Sequence, residues 1–152
     1  MKAARLYEYD PAMNVRLKIE DVPPPQVEGP NDVVVKSDGA VWFTDPTFGI
    51  LGYYEGHKAD SENKPAVYRL DPTTGKLAMM ADDIAGPNGL AFSPDEKKLY
   101  VVASRGEPHR QIVAYDVLGD GNDTHLGAGS PLIDAGPGGS PDGFRVDVDG
   151  NL

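Results

Sequence analysis

The sequence predicts an all-β fold built from propeller blades of four short antiparallel strands. Three observations carry this. Segments led by Asn or Asp recur along the chain, the residues between them alternate apolar and polar, and turn formers punctuate it throughout. The recurrences start at Asn31, Asn88 and Asp142, at intervals of 57 and 54 positions. A four-stranded unit of roughly 50 residues is the length class of a propeller blade. The 18 Gly and 14 Pro favour many short elements over long helices.

The elements follow in order. Residues 6–11 (LYEYDP) and 16–19 (RLKI) alternate and read as two outer strands. Residues 29–44 (GPNDVVVKSDGAVWFT) supply an inner strand, an acidic turn and a second strand; residues 67–72 (VYRLDP) and 76–80 (KLAMM) complete that blade. The next blade opens with residues 86–102 (GPNGLAFSPDEKKLYVV) and continues through 112–117 (IVAYDV). Residues 140–152 (SPDGFRVDVDGNL) begin a third, with an inner strand and its turn. No helix is predicted; strands alternating with helices would have indicated a parallel sheet instead. A closed propeller needs at least about four blades. These residues supply fewer than three, so the expectation is one partial domain over 1–152, without an internal boundary and truncated at both ends. The alternative is a small open repeat protein that covers its raw blade edges by forming oligomers.

Composition narrows the partners. With 14 Lys and Arg against 24 Asp and Glu, the net charge of −10 argues against nucleic acid and anionic membranes. The absence of Cys excludes disulfides, thiolate metal sites and Cys nucleophiles. The first residues lack the apolar core of a signal peptide, and no apolar run approaches the ~20 residues of a membrane span. The expected location is cytoplasmic.

Asn88-Gly89 is on its face a hairpin signal. Yet residues 93–98 (SPDEKK) already provide a turn at the far end of the same strand. In a propeller the first residue of each inner strand sits at one rim of the central channel. Asn31, Asn88 and Asp142 take that place in successive blades, and their side-chain oxygens would converge. Hard cations such as Ca²⁺ or Mg²⁺ take such mixtures of carboxylate and amide oxygen. The competing reading is that Asn and Asp serve here as ordinary turn residues.

These motifs, "PNDVVVKSDGAVWFTDPTFGI", "GPNGLAFSPDEKKLYVV" and "PDGFRVDVDGNL", resemble the family of senescence marker protein, gluconolactonase and luciferin-regenerating enzyme. The resemblance is strong from residue 29 onward and weaker before it. It implies a six-bladed propeller that hydrolyses lactones, with a divalent metal, Ca²⁺ or Zn²⁺ among others, at one end of the channel. By motif it implies Asn88 and Asp142 as metal ligands, Asp142 also as the general base, and Asn31 as a ligand or substrate contact. The family's Glu ligand comes from a different blade than Asn31. Here Glu28-Gly29-Pro30 runs straight into Asn31, and in an extended strand the two would lie roughly 10 Å apart on opposite faces. Glu28 is therefore read as an unrelated rim residue.

The implied chemistry suits the residues. A metal polarises the lactone carbonyl, and a carboxylate beside it can take a proton from water. A Gly-x-Ser-x-Gly nucleophile motif is absent. His57 falls in a long loop, and His109 and His125 fall in turn-rich stretches; all three read as surface residues. The expected partner is a small-molecule lactone. Two alternatives stand beside the lactonase: a catalytically silent propeller piece that binds metal or a partner, and a strictosidine-synthase-like propeller.

Overall fold

The computed structural model describes residues 7–10, 15–18, 29–53 and 58–152. Strands β1 (Tyr7–Asp10) and β2 (Val15–Lys18) form an antiparallel pair, where two outer strands were expected. Next comes an antiparallel blade in chain order: β3 (Val33–Val35), β4 (Val41–Asp45), β5 (Ala66–Leu70) and β6 (Leu77–Ala81). The following blade contains β7 (Pro87–Phe92), β8 (Lys98–Ala103) and β9 (Gln111–Leu118). Its fourth place is shared. Strand β10 (His125–Leu126) pairs with one end of β9 and β11 (Ser130–Asp134) with the other. Helical structure among the described residues is limited to two short 3-10 turns, Phe48–Ile50 and Gly121–Asp123. No helix among them is long and apolar enough to cross a membrane.

Alternation builds the core. In β8, Leu99 and Val101 are fully buried while Lys98 is exposed. With Leu90 of β7 and Tyr115 of β9 they pack into one cluster with Trp42 of β4 and Val67 of β5. The two blades thus share one apolar cluster, while Val41, Phe43, Ala66 and Tyr68 form a second within the first blade. Trp42 meets Phe92 edge to face, with ring centroids 5.5 Å apart, a favoured aromatic geometry.

The third repeat is only partly regular. Its turn copies that of the first blade. Lys36 N–H donates to Ala40 O (2.9 Å) and Gly39 N–H to Lys36 O (2.8 Å); Asp147 N–H donates to Asn151 O (3.0 Å) and Gly150 N–H to Asp147 O (3.1 Å). Gly39 and Gly150 hold φ of +85° and +87°, which side chains with a Cβ rarely adopt. The inner strand expected before that turn is not formed. Residues 140–149 have no ladder partner among the described residues, and without one an extended segment is not a strand.

Candidate functional site

Asn88 lies inside β7, not in a turn. The left-handed residue is Gly86, at φ +62°, and the turn is made by residues 93–98, where Ser93 N–H donates to Lys98 O (3.0 Å). The Asn-Gly pair has a different purpose. A Cβ on Gly89 would collide with the carbonyl oxygen of Asp142 and fall 3.0 Å from Gly143 Cα. Only Gly lets the third repeat press its backbone against β7, and this contact sets Asp142 beside Asn88.

Two polar side chains fasten the first repeat to the second. Thr44, fully buried, donates its Oγ1–H to Asn88 O at 2.8 Å and accepts from Asp32 N–H at 3.2 Å. Asp32 accepts from Leu90 N–H on Oδ2 (3.1 Å) and from Val33 N–H on Oδ1 (2.9 Å). Arg145 Nη1 approaches Asp32 Oδ2 at 3.5 Å and so ties in the third repeat. Asp32 is a strut that sequence reasoning passed over; its place directly after Asn31 in "PND" was the available signal.

A cleft of ≈ 270 Å³ opens where these segments meet. Asn88 and Asp142 both line it, with Ser140 and Pro141. Asn88 Oδ1 is buried and accepts no hydrogen bond from the described residues, whereas Asp142 is exposed. A buried polar atom without a partner is uncommon, because its desolvation goes uncompensated. Asn31 does not line the cleft. Its N–H donates to Thr44 O (2.9 Å), and by alternation it shares the exposed side of Val33 and Val35. Of the three residues singled out from sequence, the cleft therefore unites two. Glu28 and His57 lie outside the described residues.

The donor set suits a hard divalent cation. It offers an amide oxygen with no other partner and a carboxylate on the same cleft. Among the described residues no group of three or more His, Cys, Asp or Glu is placed to hold a metal.

The other wall was not foreseen. Phe48, Ser104, Arg105 and Arg110 complete the lining. The Arg105 guanidinium sits 5.1 Å from the Phe48 ring centroid, in cation–π range. Its stem packs so closely on Gly86 that a Cβ there would lie 2.9 Å from Arg105 Cγ. Arg110 donates from Nε to Ser104 O (2.9 Å) and from Nη1 to Gly139 O (3.3 Å). His109 is not a free surface residue: its Nδ1 lies 2.9 Å from Asp134 Oδ1, linking the β8–β9 connection to β11. The Gly136 N–H, and after it His109, hold the Asp134 carboxyl below the usual carboxylate range. His125 is exposed, its Nδ1 2.9 Å from Asp123 O.

The sequence matches the family model described as SMP-30/Gluconolactonase/LRE-like region over residues 3–152. It is 38% identical over 126 residues to a gluconolactonase of Zymomonas mobilis, covering 81% of this chain and 35% of that protein. A solved gluconolactonase structure from Xanthomonas campestris superposes with a TM-score of 0.68 at 43% identity, over 82% of this chain and 39% of the other. A luciferin-regenerating enzyme superposes with a TM-score of 0.62 at 27% identity, over 90% of this chain and 42% of the other. The chain thus spans about a third of the length of the curated gluconolactonase it matches.

Proposed function

As the chain belongs to the SMP-30/gluconolactonase/LRE-like family, we propose that its cleft serves the hydrolysis of a sugar lactone. The observation that carries this reading is Asn88 Oδ1, buried without a partner on the cleft that Asp142 also lines. Asn88 and Asp142 would hold a divalent cation, Ca²⁺ or Zn²⁺. When bound, such an ion polarises an ester carbonyl and stabilises negative charge on its oxygen. Asp142 is exposed and ends in a carboxylate, so one Oδ can accept a proton from the attacking water. The backbone contact at Gly89 fixes where that carboxylate starts. Asn31, exposed and off the cleft, is given no part in holding the cation or the lactone there.

A second reading is a binding module without turnover. It would use the same cleft, with Asn88 and Asp142 as ligand contacts. One experiment separates the two: acid release from gluconolactone above the spontaneous rate, with Ca²⁺ or Zn²⁺ added. The lactonase reading expects turnover that falls by about 10²-fold or more in Asp142→Asn, the scale of a lost general base. Metal and lactone binding without turnover would establish the module. Neither binding nor turnover would defeat both.

A further inference from the structure

The geometry points to an anion subsite formed by Arg105 and Arg110, which selects a sugar-acid lactone carrying a free carboxylate away from the ester. This rests on the lactonase reading for the word lactone; the subsite itself does not. The chain carries a net charge of −10, so acidic partners for its cations are plentiful. Lys36, Lys64, Arg69, Lys97, Lys98 and Arg145 each have a carboxylate at ion-pair distance. Among the described residues Arg105 and Arg110 have none, and both line the cleft that holds Asn88 and Asp142.

Their other contacts hold them in place without neutralising them. Arg105 rests its stem on Gly86 and its guanidinium over the Phe48 ring, and that guanidinium donates no hydrogen bond among the described residues. Arg110 spends Nε and Nη1 on two backbone carbonyls and keeps its remaining N–H donors. Both residues are exposed on the cleft wall, and neither has a carboxylate at ion-pair distance among the described residues. An anion in the cleft would gain attraction from both. A planar carboxylate matches the guanidinium fork and takes short, charge-assisted hydrogen bonds from it. A lactone bound with its ester at Asn88 and Asp142 would reach these arginines with a different group, because they come from the β8–β9 connection, whereas Asn88 belongs to β7 and Asp142 to the third repeat. That group is the distal carboxylate of a sugar diacid.

The test is calorimetric binding to this chain of glucaro-1,4-lactone, neutral galactono-1,4-lactone and open-chain gluconate. It uses wild type, Arg105→Gln, Arg110→Gln and Asn88→Ala, each checked for an unchanged melting curve. The charged lactone should bind at least tenfold more tightly than the neutral one. Each Arg→Gln variant should weaken it by roughly tenfold, equivalent to about 1.4 kcal/mol, and leave the neutral lactone unaffected. Raising the salt concentration should erode the preference, as screening requires. Equal affinity for both lactones, or a preference that survives both Arg variants, overturns the proposal. Gluconate binding as tightly as the charged lactone, with the same Arg dependence, also overturns it, since the arginines then hold the carboxylate made by ring opening. Asn88→Ala separates the two readings: a lost Arg preference with Asn88 still needed for metal binding sinks the subsite alone, and the converse sinks the metal site alone.

Discussion

Asn88 shows how far a residue type can be read before folding. Pro-Asn-Gly names a turn by local propensity, but here propensity gives way to tertiary contact. The residue extends within β7, its carbonyl accepts from Thr44, and Gly89 admits the backbone of the third repeat. The repeat positions of Asn88 and Asp142 were legible because the same motif recurs 54 positions on. Arg105 and Arg110 were not, because nothing periodic marks them; the stacking on Phe48 and the carbonyls of Ser104 and Gly139 bring them to the cleft. The orphaned oxygen of Asn88 leads to a prediction. An unsatisfied buried acceptor costs on the order of 1–3 kcal/mol. Asn88→Ala removes that oxygen and no hydrogen bond made by it, while the backbone bond from Thr44 remains. Without metal, its melting temperature should equal or exceed that of wild type. Saturating Ca²⁺ or Zn²⁺ should raise the wild type, by about 2.7 kcal/mol at a hundredfold excess over Kd, and should not raise the variant. A metal-induced rise that persists in Asn88→Ala would show that the oxygen is not a ligand.

At the scale of elements, strands and turns were legible where alternation and turn formers coincide, and the boundaries observed for β6 and β9 fall within a residue of those expected, those of β5 within two. The split of the last strand between β10 and β11 was not, because Gly129 breaks the pattern for a close approach to β9 that depends on its side chains. A Cβ on Gly129 would lie 2.7 Å from the Tyr115 ring. The link between the turns of neighbouring blades was equally hidden. Glu96 is the one non-Gly residue at positive φ among those described, at +55°. Such a backbone costs of order 1–3 kcal/mol and persists only when its surroundings hold it. They do: Glu96 accepts from Ser37 N–H (2.7 Å), Ser37 Oγ–H (2.5 Å) and Lys36 Nζ (3.2 Å) of the preceding blade's turn. Burial alone would raise its pKa; the Ser37 hydroxyl and amide, then Lys36, outweigh this and hold it below its ordinary 4.5. A carboxylate with a depressed folded pKa contributes stability that is present above the unfolded value and lost as pH falls through the folded one. Wild type should therefore lose stability below about pH 4.5, and Glu96→Gln should lose less over that window. At pH 7 the variant should be less stable by roughly 1–3 kcal/mol, the worth of hydrogen bonds to a charged group. Parallel stability–pH curves from urea melts would refute the staple.

The whole molecule poses the question of how independent its blades are. Sequence repeats suggest autonomous units, as in a solenoid whose repeats add stability step by step. The packing says otherwise. One cluster joins Trp42 and Val67 of the first blade to Leu90, Leu99, Val101 and Tyr115 of the second, and Trp42 also meets Phe92 across the boundary. Glu96, Thr44 and Asp32 add polar ties across the same boundary. Neither blade can open without exposing part of the other's interior, so the two should unfold as one cooperative unit. The chain contains a single Trp, and it belongs to the first blade. Its fluorescence therefore reports on that blade while a mutation is placed in the other. Leu99 of β8 is fully buried in the shared cluster. Leu99→Ala should destabilise by about 2–5 kcal/mol, the range for a buried Leu truncated in a close-packed core. If the blades are coupled, the Trp42 fluorescence transition in urea should shift by that full amount and coincide with the transition in far-ultraviolet circular dichroism, as two-state behaviour demands. If the second blade melts early while Trp42 keeps its wild-type midpoint, the blades are separate units and the shared core does not couple them.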